Sequence, residues 1–240
     1  MKTLTTDTFL NGRIQVKQSR QGYRFSIDAA IVAAYAKPRP SDKAIDLGTG
    51  CGIIPLILAY RYPDIKVFGI EVQEELAEIA VLNVKENGLK DRITILCRDM
   101  KSLKHHMTSG PADLVVSNPP YRKAESGRIN PDNQRAIARH EIKITLSDVV
   151  KTASRMLNIS GRFVTVYPAD RMTDLLTQMR SEDIEPKFLR MIHSGRDTDA
   201  KLVLVKGTKG GGPGIKVGLP LIIYRKDGSY SDEVEEMFMP

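Results

Sequence analysis

The chain has 240 residues, of which 41% are hydrophobic and 27% charged, the balance of a soluble globular protein with enough length for a sizeable core. No apolar run approaches the ~20 residues of a membrane span, and the polar start Met1-Lys2-Thr3-Leu4-Thr5-Thr6-Asp7 is no secretory signal, which makes the cytosol the default compartment. Cys51 and Cys97 have no C-x-x-C spacing and His105 and His106 read as solvated loop residues, so neither a disulfide framework nor a metal site is suggested. The formal net charge of +7 suits a polyanionic partner.

In chain order, residues 1–22 carry turn signals at Asn11-Gly12 and Gln21-Gly22 around the alternating Ile14-Gln15-Val16, which predicts a small hairpin or arm. Ser26 or Asp28 then caps a helix whose apolar side includes Ile31, Val32, Ala34 and Tyr35 and which ends before Lys37-Pro38-Arg39-Pro40. Such a helix can cover a ligand mouth at its start, with Asp28 either facing a cationic group there or serving as an ordinary cap. Residues 1–42 are expected to form this arm and covering helix, and 43–240 the main domain.

Lys43 to Leu47 reads as a buried strand running into Asp46-Leu47-Gly48-Thr49-Gly50-Cys51-Gly52, after which Ile53, Ile54, Ile57 and Leu58 resume at helical spacing, with Pro55 in the first turn. Three glycines in five positions let the backbone turn sharply and approach a ligand. A dinucleotide fingerprint would need a small residue where Ile53 stands, and a pyrophosphate would meet like charge at Asp46. An ammonium-bearing cofactor would be welcomed instead. D-x-G-x-G-x-G followed by an acid at the next strand end resembles the pattern of S-adenosylmethionine-dependent methyltransferases.

A second strand, Lys66 to Ile70, ends at Glu71, where a carboxylate can accept both hydroxyls of a ribose. A helix from Gln73 to Asn87 buries Leu76, Ile79, Ala80 and Val84 and stops at Gly88. Arg92 to Leu96 is a third strand leading to Asp99 and Met100, which either bind an adenine amine and ring or, for Asp99, cap the next turn. After a polar stretch at 101–111, Ala112 to Ser117 is a fourth strand. Leu146 to Leu157 and Arg171 to Arg180 read as helices, Gly161 to Tyr167 as a fifth strand, and Lys187 to Ile192 and Lys201 to Lys206 as the last two. Residues 206–218 are too rich in glycine for a regular element. Seven strands alternating with helices predict a Rossmann-like α/β fold, a mostly parallel sheet covered on both faces, with ligands beyond the strand ends that carry Asp46, Glu71, Asp99 and Asn118.

Asn118-Pro119-Pro120-Tyr121 sits where the fourth strand ends, and its prolines force a rigid extended turn. An amine conjugated to a base or amide is a poor nucleophile because its lone pair is delocalised. If the Asn118 side-chain oxygen and the Pro119 carbonyl accept its N–H groups, they favour the form in which positive charge develops on nitrogen. Tyr121 would stack on the planar target. Residues 1–40 hold seven basic side chains against two acids, and residues 121–143 six against three. Basic groups beside aromatics suit phosphates and unstacked bases, and solvated faces are the bland alternative.

This pairing of motifs resembles the amino-group methyltransferases that carry N-P-P-Y, which act on adenine in DNA or RNA, on guanine in ribosomal RNA, or on release-factor glutamine. Arg24-Phe25-Ser26-Ile27-Asp28-Ala29-Ala30, Ala138-Arg139-His140-Glu141 and Leu221-Ile222-Ile223-Tyr224 are similar to one branch, the bacterial tRNA (adenine) 6-amino methyltransferases that modify a valine tRNA beside its anticodon. The resemblance implies a class I methyltransferase fold and S-adenosylmethionine as cofactor. It places Asp46, Gly48, Thr49, Gly50, Gly52, Glu71, Val72, Asp99, Met100, Asn118 and Asp28 around that cofactor, and Asn118 to Tyr121 on the target amine. Structured RNA, tRNA above all, is the partner it implies, and the basic segments are expected to place Arg24, Arg122, Lys123, Arg128 and Arg139 on its phosphates. Transfer to guanine or a protein glutamine, and a non-catalytic RNA-binding module that keeps its cofactor pocket, are the competing readings.

Overall fold

A computed structural model gives the fold and describes residues 4–19, 27–119 and 144–240. Leu4–Phe9 (β1) and Ile14–Ser19 (β2) form the expected hairpin, antiparallel from Phe9↔Ile14 to Leu4↔Ser19. Asn11 and Gly12 turn it with φ of 53° and 80°, the left-handed backbone that this residue pair tolerates. Ile14 and Val16 are buried while Gln15 is exposed, so the alternation read from sequence is the inside and outside of β2.

From residue 27 onward strand and helix alternate. Ile27–Ala36 is α1, Lys43–Leu47 β3, Ile53–Arg61 α2, Lys66–Glu71 β4, Glu74–Glu86 α3 and Ile93–Cys97 β5. After the single turns Met100–Ser102 and His105–Thr108 come Ala112–Ser117 (β6), Leu146–Met156 (α4), Leu157–Pro168 (β7), Met172–Ser181 (α5), Ile184–His193 (β8) and Ala200–Lys209 (β9). Lys216–Val217 (β10), Leu221–Ile222 (β11) and Asp232–Glu236 (α6) complete it. The sheet runs β10-β8-β9-β7-β6-β3-β4-β5, with β11 also on β8. Among the described strands of this sheet only β9 is antiparallel to its neighbours.

All seven expected strands are present, but among the described residues the sheet has nine, so the seven-strand expectation is corrected. The additions are β10 and β11, two residues each, laid parallel on the outer side of β8 at Phe188–Leu189 and Ile192–His193. An uncovered edge would leave a row of backbone groups unpaired, and this returning segment caps it. Residues 206–218 are likewise more regular than their glycines suggested, since β9 continues to Lys209. Gly207 lies there because a side chain would not fit: a Cβ would meet Met179 Cε at 2.4 Å and Ile184 Cγ2 at 2.6 Å.

Alternate residues of the strands feed two cores. Ala44, Leu114, Val116, Val164 and Leu204 pack with α1, α2 and the hairpin, while Ile45, Leu47, Val115, Phe163 and Val205 pack with α4 and α5. Helices therefore cover both faces, and the carboxyl ends of β3, β4, β5 and β6 share one edge. Among the described residues no helix is long and apolar enough to cross a membrane.

Candidate active site

The glycine loop between β3 and α2 is anchored on a carbonyl of the neighbouring strand: the N–H groups of Gly48 and Thr49 both donate to Ile70 O at 2.9 Å. Gly48, Gly50 and Gly52 adopt φ of 79°, 56° and 85°. A Cβ built on Gly48 or Gly50 would meet nothing within 4 Å, so these two line open space, whereas at Gly52 it would lie 3.2 Å from Ala80 Cβ. The first two glycines leave room for a ligand, and the third admits α3.

Asp46 is fully buried at the end of β3. Its Oδ2 accepts the Thr49 hydroxyl at 2.6 Å, and its Oδ1 has no partner among the described residues. Burial pushes its carboxyl up to about 7, the Thr49 hydrogen bond opposes this, and the Glu71 charge adds to it. Glu71 is also buried, but its carboxylate is held by backbone: Oε2 accepts from Gly50 N and Oε1 from Gln73 N, each at 2.9 Å. A carboxylate has about four lone-pair sites, so half of its accepting capacity is left for a ligand. Val72 is half-buried beside it.

At the end of β5, Asp99 Oδ1 accepts from Lys101 N at 2.9 Å, so it caps the turn Met100–Ser102, the second of its two expected roles. The Met100 side chain lies in the core with Ile45, Leu47 and Ile70. Asp28 is buried in the first turn of α1. Asn118 follows β6 half-buried, its Oδ1 enclosed and without a partner among the described residues, and Pro119 is buried. Arg24, Pro120, Tyr121, Arg122, Lys123, Arg128 and Arg139 lie outside the described residues.

The loop also rests on residues the sequence reading did not single out. Ser117 Oγ donates to Leu47 O at 2.8 Å and joins the ends of β3 and β6. Gly69 makes room for Thr49, because a Cβ there would stand 2.9 Å from Thr49 Oγ1 and 2.8 Å from Ile95 Cδ1. Asn83, fully buried on α3, donates to Cys51 O at 2.9 Å. A polar residue inside an apolar helical stripe was the available signal for Asn83.

Sheet order, glycine loop and acids at consecutive strand ends define a class I methyltransferase. The family model for the methyltransferase small domain matches residues 28–181. A tRNA1(Val) (adenine(37)-N6)-methyltransferase of Porphyromonas gingivalis is 36% identical over 178 residues, 72% of this chain and 69% of its own. The namesake of Aeromonas hydrophila is 26% identical over 95% of this chain and 94% of its own. Among solved structures, a protein of Agrobacterium tumefaciens described as a predicted O-methyltransferase superposes with a TM-score of 0.71 at 20% identity, over 88% of this chain and 94% of its own. The chain belongs to the methyltransferase small domain family and, within it, to the family of the tRNA1(Val) (adenine(37)-N6)-methyltransferases.

The residues present fit the cofactor that this fold implies. An open cradle at Gly48 and Gly50, an orphaned buried oxygen on Asp46 and spare acceptor capacity on Glu71 form a donor-poor, acceptor-rich hollow, which suits a ligand carrying an ammonium and hydroxyls.

Proposed function

We propose that this protein methylates the exocyclic 6-amino group of an adenine in tRNA, the activity for which its relatives are named. S-adenosylmethionine, when bound, supplies the methyl group as a sulfonium electrophile. The reading is carried by the two buried acceptors, Asp46 Oδ1 and Asn118 Oδ1, at neighbouring strand ends.

On the cofactor side, Asp46 and Asp28 attract the ammonium, Glu71 with Val72 holds the ribose, and Asp99 with Met100 bounds the adenine. Gly48, Thr49, Gly50 and Gly52 provide the backbone cradle. On the target side, Asn118 Oδ1 and the Pro119 carbonyl accept the N–H groups of the amine and stabilise the charge that develops on nitrogen. The proton leaves afterwards to water, so no strong base is required. Pro120 fixes the turn and Tyr121 stacks on the base. Arg24, Arg122, Lys123, Arg128 and Arg139 hold phosphates, which explains the basic excess of both segments. Residues 1–42 serve as arm and covering helix, residues 43–240 as the methyltransferase domain, and the cytoplasm is the compartment.

Incubation with methyl-labelled cofactor and separate pools of tRNA, ribosomal RNA, DNA and release factor tests this. Label in tRNA, recovered as N6-methyladenosine, is expected. Label in another pool, or in guanosine, would refute the substrate assignment.

A further inference from the structure

We propose that Asn83 is a positioning residue for the cofactor loop, coupling the seating of the N-terminal hairpin to the carbonyl of Cys51. The inference rests on the reading that this loop holds the cofactor.

The hairpin meets α3 through a pair of side-chain amides. Lys17 N donates to Asn83 Oδ1 at 2.7 Å and Asn83 Nδ2 donates back to Lys17 O at 2.9 Å. One helical turn on, Gln15 N donates to Asn87 Oδ1 at 2.9 Å and Asn87 Nδ2 to Gln15 O at 2.7 Å. Four helical residues rise about 6 Å and two strand residues about 6.7 Å, so the two asparagines match alternate residues of β2. Each amide presents an acceptor and donors as a backbone pair would, and α3 thereby offers β2 the equivalent of a strand edge. Lys17 adds an ion pair with Glu86.

The two asparagines differ in their remaining proton. That of Asn87 returns to its own helix at Asn83 O, at 2.8 Å, and that of Asn83 reaches Cys51 O, at 2.9 Å. Cys51 O belongs to the peptide that leads into Gly52, whose N–H closes onto Thr49 O at 2.9 Å and whose missing Cβ admits Ala80, one turn before Asn83. Asn83 is completely enclosed, so water cannot replace either contact. Hairpin and loop therefore share one amide, and its geometry satisfies both only when both are seated.

Titration of the 240-residue protein with S-adenosylhomocysteine, together with amide exchange, separates this role from mere packing. Asn83→Ala is expected to weaken binding about tenfold, the effect of leaving one loop acceptor unpaired, and to speed exchange at Gly50 and Gly52. Asn87→Ala is expected to speed exchange at Gln15 while changing affinity by less than about twofold. Lys17→Pro, which removes the N–H given to Asn83 together with the ammonium paired with Glu86, is expected to weaken binding in the same direction, whereas Lys17→Ala, which removes only the ammonium, is expected to leave it unchanged, and this pair keeps the test open if Asn83→Ala folds poorly. Equal affinities in Asn83→Ala and Asn87→Ala, or in Lys17→Pro and wild type, would overturn the proposal. Failure of the wild type to bind would overturn the cofactor reading itself.

Discussion

Asp46 and Asn118 stand at the ends of two parallel neighbours, β3 and β6, joined through Leu47↔Ser117, and each keeps a buried Oδ1 without a partner among the described residues. A buried acceptor left unpaired costs about 1–3 kcal/mol, so a ligand that brought N–H groups to this strand edge would gain up to that much at each of the two.

Replacing Asn118 by Ala removes the acceptor assigned to the target amine and leaves the glycine loop and Glu71 in place. Single-turnover methylation is expected to fall by about 10²-fold or more, with S-adenosylhomocysteine affinity close to wild type. A matching loss of affinity would assign Asn118 to the cofactor alone.

The raised carboxyl of Asp46 makes two pH effects opposite in sign. An ammonium ligand prefers the ionised form, so affinity should climb as pH rises from 6 through about 7. The ligand-free protein should lose stability over the same rise. A folded-state value above the unfolded 3.8 stabilises the fold below that pH, and the contribution is gone once pH exceeds about 7. In Asp46→Asn both slopes should flatten, with weaker binding and a higher Tm at pH 8. Calorimetry across pH in both proteins checks this, and parallel slopes would exclude Asp46 as the titrating group.

Gly69→Ala places a methyl against Thr49 and Ile95, both under 3 Å away at their nearest atoms. Thr49 carries the hydroxyl bound to Asp46 Oδ2. A loss of about 1–3 kcal/mol in denaturant stability is expected, accompanied by weaker cofactor binding. Adding Thr49→Ser, which deletes one of the colliding methyls, should recover part of the stability. Additive losses in the double variant would contradict the seat described.

Arg190 crosses beneath α1 to Glu233 of α6 and also reaches the Tyr35 hydroxyl and the carbonyls of Leu219 and Pro220. Its hydrogen bonds to the Glu233 carboxyl, against partial burial and with the guanidinium charge adding, hold that carboxyl below the usual range. Leaving the buried Arg190 guanidinium without its carboxylate is costly, reduced here because Glu233 itself is exposed to solvent, so Glu233→Ala should cost about 2 kcal/mol. Wild-type stability from this pair is present at neutral pH and fades as pH falls through the lowered Glu233 value. Urea titrations at pH 7 and pH 4 should therefore show a smaller gap between variant and wild type in acid.

Much of this was legible because local chemistry and global fold agree. Asp46 and Glu71 could be placed by the abrupt end of apolar runs, and the glycine spacing announced a loop whose φ values only glycine readily adopts. What escaped depends on distant partners. Gly207 reads as a strand breaker until Met179 and Ile184 are seen filling its side-chain space, and Lys216–Val217 has no strand signature beyond its pairing with Phe188–Leu189. Asn83 looks like an ordinary helix residue because its partners, Lys17 and Cys51, lie 66 and 32 residues away. Asp99 illustrates a third case, in which one carboxylate supports two roles and only its observed bond to Lys101 N shows that the cap is filled.

The short strands laid against β8 also decide where this molecule can accept company. A strand from another chain seeking that border would first have to peel away Lys216–Val217 and Leu221–Ile222, and with the latter the segment that leads into α6. Ile93–Cys97, at the far border of the sheet, pairs only with β4 among the described residues, so intermolecular strand addition, where it occurs at all, would begin there.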